Sequence, residues 1–438
     1  MIWVYISIAV FLSWLVCEKR VAWYHYIWML LPIEMYGVNA AGATIKPYML
    51  YGFAIVAYSI IKNRGMKFPQ TVLIIAVLLL LSDVINGFIL TSIMQHLMFL
   101  MILFIALEYL MLQKKTIDLE GISKITIATT IGYGAVFAGI NFLFNRGIVL
   151  PDVFTADRYS TGMIYSSIEG FDKFSNRLRG FCIDPNGVVT TLIPGATFAL
   201  ANIMYKKKDK VNMVKNWIAV IVFFIVVGYT GSRMAFLSSI IMATIMFFVG
   251  YKQTEHKAQW IFGGLLATFI LMLFAIINEG QFFIGLYENV ETFFSSRASL
   301  TAHAGRLTIW KHNFNYLVNN DKLLTGVGQN QILNYSVSGK PCHNTWLEWI
   351  CGTGLIIGTV INLWFIFAHR AIKKKCIEAG VDYLHDYFPI ILAYWIVLIA
   401  ITSIDNITNS IMLFFMVLFR YGCVERLNVK ISEENKNG

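Results

Sequence analysis

A succession of apolar segments, each close to the length that crosses a lipid bilayer, constrains this chain more than any other feature. About 20 consecutive apolar residues span the hydrocarbon core as a helix, with a range of about 17–25. The sequence therefore predicts an all-α, polytopic transmembrane helix bundle of about twelve to thirteen spans. The candidate spans are 2–16, 22–38, 47–61, 70–86, 92–112, 123–143, 185–204, 216–231, 234–250, 259–277, 344–368, 386–402 and 408–422.

The composition excludes most other protein classes. Apolar and aromatic residues make up 57% of the 438 residues, and charged residues only 14%, against about 25% in soluble domains. The net charge of +10 does not indicate a nucleic-acid partner, because the lysines cluster in short segments between apolar runs. Such a bias is typical of cytoplasmic loops in membrane proteins.

The distribution of these lysines divides the chain into five parts. Alternation of the spans places the two longest polar segments opposite the lysine-rich loops, outside the cytoplasm. Connections of this length are often functional. The predicted parts are N-terminal transmembrane helices (1–143), an extracytoplasmic loop (144–184), central transmembrane helices (185–277), a large extracytoplasmic loop with an amphipathic helix (278–343), and C-terminal transmembrane helices with a cytoplasmic tail (344–438).

The first polar segment ends in an unusual group of residues at a predicted helix start. Asp184 followed by Pro185 is a favourable helix N-cap and first-turn pair, and Asn186 could serve structure or a ligand equally well. Arg179 lacks such a local role, because a guanidinium at the membrane boundary requires an anion or a carboxylate. An ion pair and a bound anion are both compatible with the sequence.

Arg233 stands at the start of another predicted helix, with almost no loop before it. The helix dipole there repels a cation and attracts an anion. Arg233 thus indicates either a bound anion or a side chain that extends to lipid headgroups.

The second polar segment contains a helical stretch whose polar residues recur at helical spacing. His303, Arg306, Trp310, Asn313 and Leu317 share one face. That face could line a polar cavity, or the helix could lie on the membrane surface.

The same segment ends at His343 and Asn344, directly before the long apolar span over 344–368. A histidine at a membrane boundary is commonly structural, but this one follows the longest polar loop. Glycines at 352, 354 and 358 would allow close helix packing behind it.

Motifs for soluble cofactors and metals do not occur in the sequence. It contains no Walker A, dinucleotide-binding or HExxH motif, and its six cysteines include no close CxxC pair. We therefore expect neither a cofactor nor a metal site.

Taken in order, four pieces of the sequence resemble the bacterial O-antigen polymerase and O-antigen ligase superfamily. They are Arg179 with Asp184-Pro185-Asn186, Ser232-Arg233, Gly305-Arg306 with Trp310, and His343-Asn344 before a glycine-rich helix. The resemblance covers roughly residues 175–365. Members commonly have about twelve spans with the N-terminus inside, whereas thirteen spans would place it outside.

The resemblance implies an enzyme of the bacterial inner membrane with its active site on the periplasmic face. It implies a metal-independent, inverting glycosyltransferase whose donor and acceptor are oligosaccharides on undecaprenyl diphosphate. Carried over to this chain, Arg179, Arg233 and Arg306 would hold the diphosphate, and His343 would be the general base. Asp184, Asn186, His303, Trp310 and Asn344 would support them. Membrane lipid and a chain-length regulator protein are the further partners implied.

Four possible functions differ in what they predict. An O-antigen polymerase adds the glycan to another lipid-linked repeat unit, and a ligase transfers it to lipid A-core; the sequence leans weakly towards the polymerase. A flippase of lipid-linked sugars predicts two similar halves and a charged central cavity, which the sequence lacks. A structural scaffold would leave the boundary arginines and histidine unexplained.

Overall fold

A computed structural model of the chain describes most of the helical core and parts of its connections. The described residues are 2–17, 21–40, 43–63, 68–113, 117–146, 148, 150–151, 154–155, 165–168, 175–182, 184–205, 210–230, 232–253, 258, 261, 306–335, 337, 339, 341–404 and 406–423.

Helices account for nearly all of the regular structure in these residues, which confirms the predicted all-α polytopic bundle. In chain order they are α1 (Ile2–Val16), α2 (Ile27–Leu30), α3 (Pro47–Asn63), α4 (Gln70–Ile85), α5 (Leu90–Leu112), α6 (Leu119–Asn145), α7 (Pro185–Tyr205), α8 (Lys210–Thr230), α9 (Arg233–Gln253), α10 (Arg306–Asn319), α11 (Ile332–Tyr335), α12 (Thr345–Thr353), α13 (Leu355–Ile366), α14 (Ile372–Glu378), α15 (Phe388–Ala400) and α16 (Ser410–Val417).

Five helices within the described residues are long and apolar enough to cross a membrane, by length and composition: α5, α6, α7, α8 and α9. Five further apolar segments form shorter helices, at Ile2–Val16, Gln70–Ile85, Leu355–Ile366, Phe388–Ala400 and Ser410–Cys423. The chain is thus a multi-pass membrane protein. The predicted span over 259–277 lies almost wholly outside the described residues.

The predicted helix over 22–38 is not continuous. The structure has a 3-10 turn at Trp23–Tyr26 and the single turn of α2, after which the chain is irregular. This backbone is buried within protein, where irregular structure is tolerated because other elements supply hydrogen bonds. The hydroxyl of Tyr133 on α6 donates to the carbonyl of Met29 at 2.7 Å. The sequence showed the apolar segment, but it could not show the hydrogen-bond partners, such as Tyr133, that satisfy its irregular backbone.

The predicted helix over 344–368 is interrupted at Gly354, which separates α12 from α13. Gly354 has a φ of 86°, a backbone conformation that glycine adopts without steric cost. An added Cβ there would collide with the carbonyl oxygen of Leu324, and the Leu355 amide donates to the Leu323 carbonyl at 2.8 Å. The break therefore lets the preceding loop lie against the helix.

The helices run between two ends of the bundle, and α7, α9 and α12 all begin at one of them, here named the site end. The contacts described below join their first turns. At the opposite end, Asp118 caps the start of α6 by accepting from the Gly121 amide at 2.8 Å. Helix α6 crosses the bundle between these ends and packs against α1, α7 and α8.

Within the described residues, two small sheets lie in the connections between helices, one between α2 and α3 and the other between α6 and α7. Strands β1 (Val38–Ala40) and β2 (Ala43–Ile45) form an antiparallel pair. Strands β3 (Phe154–Thr155), β4 (Tyr165–Ile168) and β5 (Ser175–Leu178) form a second sheet, in which β4 pairs parallel with β3 and antiparallel with β5. Strand β5 leads directly into Arg179.

A buried polar cluster attaches the loop after α10 to the bundle. Asp83 accepts hydrogen bonds from the Ser92 hydroxyl and bonds to Nδ1 of His96, each at 2.9 Å. The Ser92 hydroxyl in turn accepts from the Gln329 amide at 3.0 Å. The loop that leads to His343 is therefore held by side chains of α4 and α5.

Candidate active site

Arg179 lies buried at the site end, between β5 and α7. Only 3% of its surface is exposed. Burial lowers the pKa of the guanidinium, while the neighbouring Tyr36, Cys182 and Asp184 act in the opposite direction. The following residue, Gly180, has a φ of 57°, and a Cβ there would lie 2.7 Å from the Phe137 ring. The turn that places Arg179 thus requires glycine.

Asp184 and Asn186 shape the first turn of α7. The Asn186 amide donates to Oδ1 of Asp184 at 2.8 Å, so the predicted cap is present. This bond satisfies one of the free amides at the helix start. Asp184 therefore has two roles at this end: it caps α7, and it interacts electrostatically with Arg179.

The same turn of α7 contacts the start of α9. The Ser232 hydroxyl donates to Oδ1 of the buried Asn186, and its oxygen accepts from the Ala235 amide at 3.2 Å. Ser232 thus caps α9, whose first residue is Arg233. The Arg233 side chain lies outside the described residues, but its backbone stands beside Asn186. The two helices bring the positive ends of their dipoles together.

Helix α10, which begins at Arg306, contacts the residue that precedes His343. Arg306 is the exposed first residue of this helix, and Trp310, one turn later, donates from Nε1 to the Cys342 carbonyl at 2.8 Å. Asn313 donates from Nδ2 to the Cys342 sulfur at 3.4 Å. The predicted polar face of α10 therefore packs on the residue before His343. His303 lies outside the described residues.

His343 adopts a φ of 49°, which is uncommon for a residue other than glycine. Such strain is often found at functional sites. The next residue, Asn344, caps α12, because its Oδ1 accepts from the Trp346 and Leu347 amides at 3.0 and 3.2 Å. Asn344 thus has a structural role that the sequence did not predict, and it fixes the helix start beside His343.

The sequence interpretation missed a buried carboxylate, Glu34, at this end. Asn406 and Asn409 donate to its two oxygens at 3.3 and 3.4 Å. Glu34 is 3% exposed, and burial raises its pKa to about 7, against the opposing effects of Lys46 and Cys182. A signal was present, since a lone acid in an apolar segment is costly unless it is paired.

Glu34 connects the two halves of the site. Its amide donates to the Phe181 carbonyl at 3.2 Å, two residues after Arg179. Asn406, which donates to its carboxylate, also donates from its amide to the Thr345 hydroxyl at 3.3 Å. Thr345 follows His343 and Asn344 at the start of α12. Hydrogen bonds of Glu34 and Asn406 therefore link the loop after Arg179 to the start of the helix after His343.

The arrangement favours binding of an anion. It combines a buried guanidinium, a second arginine at a helix start and converging helix N-termini, all of which attract negative charge. Groups of three or more histidine, cysteine, aspartate or glutamate side chains suited to a metal ion do not occur among the described residues.

Comparison with known protein families gives a match over part of the chain. Residues 218–363, about a third of the chain, match the family model described as O-antigen ligase. The match begins within α8 and includes Arg233, Arg306 and His343, whereas Arg179 precedes it. No curated protein matches the chain. Its multiple apolar helices indicate a multi-pass membrane protein, and the match over residues 218–363 supports the O-antigen polymerase and ligase superfamily.

Proposed function

We propose that the protein is a polysaccharide polymerase of the bacterial inner membrane. It transfers a glycan from undecaprenyl diphosphate to a sugar hydroxyl of another lipid-linked repeat unit on the periplasmic face. The observation that carries this proposal is the hydrogen-bonded link, through Glu34 and Asn406, between the segment that follows the buried Arg179 and the helix that follows His343, in a chain that matches the O-antigen ligase family model over residues 218–363.

In this proposal Arg179, Arg233 and Arg306 hold the donor diphosphate. Arginine presents a planar, permanently charged fork that matches phosphate oxygens. Negative charge grows on the diphosphate as the glycosidic bond breaks, so the interaction strengthens in the transition state. The starts of α7 and α9 support it, because Asn186 and Ser232 fix them together.

His343 acts as the general base. Its neutral imidazole accepts the proton of the acceptor hydroxyl while the hydroxyl oxygen attacks the anomeric carbon from the face opposite the diphosphate. The bond to the diphosphate breaks with its electron pair, and the anomeric configuration inverts. Undecaprenyl diphosphate leaves with that electron pair as a stabilised anion, so no separate general acid and no metal ion enter the proposed step.

Asp184, Asn186, Trp310 and Asn344 support this chemistry by position. The first two shape the start of α7, Trp310 holds the Cys342 carbonyl, and Asn344 caps α12. His303 remains a proposed supporting residue of the same loop. A chain-length regulator remains a proposed partner.

A second candidate is a ligase that transfers the same glycan to lipid A-core. It is favoured by the description of the matching family model, O-antigen ligase. Both candidates use the same donor and the same proposed residues, and they differ in the acceptor.

Deletion of the gene, with analysis of the surface glycan, tests the proposal. Single-repeat glycan on the lipid core supports the polymerase, and bare core supports the ligase. Unchanged glycan with lipid-linked units retained on the cytoplasmic side would contradict both and indicate a flippase.

A further inference from the structure

Glu34 lies where three parts of the chain meet. It belongs to the irregular connection between α2 and β1, and its backbone amide donates to the Phe181 carbonyl. Its two carboxylate oxygens accept from Asn406 and Asn409 in the turn before α16. Lys46, just before α3, attracts it electrostatically.

A carboxylate in such a position costs free energy to bury unless its oxygens are hydrogen-bonded. Two amide donors and the nearby Lys46 offset part of that cost here. Replacing Glu34 by an apolar residue would leave the Asn406 and Asn409 side chains without their acceptor. A retained buried polar group of this kind can select one arrangement of its neighbours, as is known in some other systems.

Asn406 makes this arrangement relevant to the proposed base. Its side chain donates to Glu34, and its backbone amide donates to the Thr345 hydroxyl. The same hydroxyl donates to the Ile404 carbonyl at 2.7 Å. The start of α12, and with it His343, is therefore docked on a turn whose position Glu34 sets.

We propose that Glu34 is a positioning residue for the transfer reaction, which fixes the His343 helix relative to the Arg179 loop through Asn406 and Phe181. The proposal rests on the proposed function of this site. In this role Glu34 acts through Asn406 rather than directly on the substrate.

This role predicts a specific kinetic effect. If Glu34 is lost, the arginines still bind the donor diphosphate, but His343 is no longer held at the correct distance from the anomeric carbon. A small misplacement of a reacting group can lower the rate by about 10²-fold. Turnover should therefore fall while the KM for the donor changes little.

The test compares Glu34→Gln with Glu108→Gln in purified protein with lipid-linked oligosaccharide as donor and acceptor. Glu108 is equally buried, at 2% exposure, but lies on α5 near the opposite end. We expect Glu34→Gln to lower kcat at least tenfold with KM within threefold, and Glu108→Gln to change neither by more than threefold. Equal effects of the two substitutions, or a fall in activity through KM alone, would overturn the proposal.

Asn406→Ala provides a second, milder variant in case Glu34→Gln does not fold. It removes the side-chain bond to Glu34, together with the bond that the Thr408 hydroxyl donates to Asn406 Oδ1, and keeps the backbone bond to Thr345. Asn409 is less suitable, because its side chain also caps α16 through the Met412 amide. We expect the same loss in kcat, and the double variant with Glu34→Gln should be no slower than the slower single variant. If the losses in kcat of the two single variants added in the double variant, Glu34 and Asn406 would not act through the same contact.

Hydrogen exchange separates this proposal from the proposed function. In Glu34→Gln, amide exchange should accelerate in peptides covering 401–409 and 343–350, and stay unchanged in α8. If exchange responds in this way but the wild type transfers no glycan, the proposed function fails and the docking role stands. Unchanged exchange in an active enzyme would contradict the docking role alone.

Discussion

Ser232 donates a hydrogen bond to the side-chain oxygen of Asn186 and so joins the first turns of α7 and α9. Asp184, two residues before Asn186, caps α7, and Arg233 directly follows Ser232. The bond thereby brings together two motifs that are 46 residues apart in sequence. It holds the N-termini of α7 and α9 next to each other at the proposed diphosphate site.

The arginine clamp predicts large and selective losses. Arg179→Ala, Arg233→Ala and Arg306→Ala should each lower transfer by about 10²–10³-fold, the typical cost of removing one donor that stabilises transition-state charge. Lysine at these positions should rescue only partly, because a point charge lacks the bidentate fork. Rates are measured with purified lipid-linked donor after confirming equal protein levels in the membrane.

Arg146→Ala is the matched control for the clamp. Arg146 is exposed, and its guanidinium lies 5.0 Å from the centre of the Phe142 ring. Transfer by this variant should remain within about threefold of wild type. Full activity in any two of the three clamp variants would remove the clamp from the mechanism.

His343→Ala should lower kcat by about 10²–10⁴-fold, the usual contribution of a positioned general base, with little change in donor binding. Turnover in excess EDTA should equal turnover in buffer. Both proteins are assayed side by side. Loss of wild-type activity in EDTA would contradict the metal-independent step, and equal turnover of the two proteins would make His343 structural.

Glu34 predicts a pH dependence of stability. Its pKa in the folded protein is about 7, raised from 4.5 by burial, with Lys46 and Cys182 as the facing groups that oppose the rise. The protonated carboxyl is therefore favoured by folding, and its stabilising contribution is lost as pH rises from about 4.5 through 7. The melting temperature in detergent should fall over this range more steeply for wild type than for Glu34→Gln. Parallel curves would show that Glu34 has an ordinary pKa.

The site end is predicted to face away from the cytoplasm. Val337, which is 89% exposed, should react with a membrane-impermeant maleimide as Val337→Cys in intact cells. Lys374→Cys, at an 82% exposed side chain of α14, should react only after permeabilisation. The six native cysteines are all buried, so background labelling should be low. The reverse pattern would place the site in the cytoplasm.

Gly354→Ala should strongly destabilise the protein. The residue has a positive φ, and its new Cβ would meet the backbone of Leu324 and Thr325, so the loop that leads to His343 could not dock. Gly139→Ala is the control, because a Cβ at that exposed helical position would meet no atom within 4 Å beyond its own helix backbone, and alanine favours helices. The melting temperature of Gly354→Ala in detergent should lie many degrees below that of Gly139→Ala.

The sequence by itself determined the membrane class, the approximate helix positions and the Asp184 cap. These features depend on local properties, namely the length of an apolar run and the hydrogen bond of a side chain to its own helix start. Local patterns could not reveal the irregular backbone at 22–38 or the break at Gly354, because distant partners such as Tyr133 and Leu324 decide them.

Only the tertiary structure decided which polar residues belong together. Arg179, Ser232 and His343 were each visible as polar residues at membrane boundaries, and the structure links their segments through Asn186, Glu34 and Asn406. Glu34 had no motif of its own, and its importance arises from contacts with residues more than 370 positions away. Burial makes such contacts strong, because a carboxylate removed from water must find its hydrogen-bond donors within the protein.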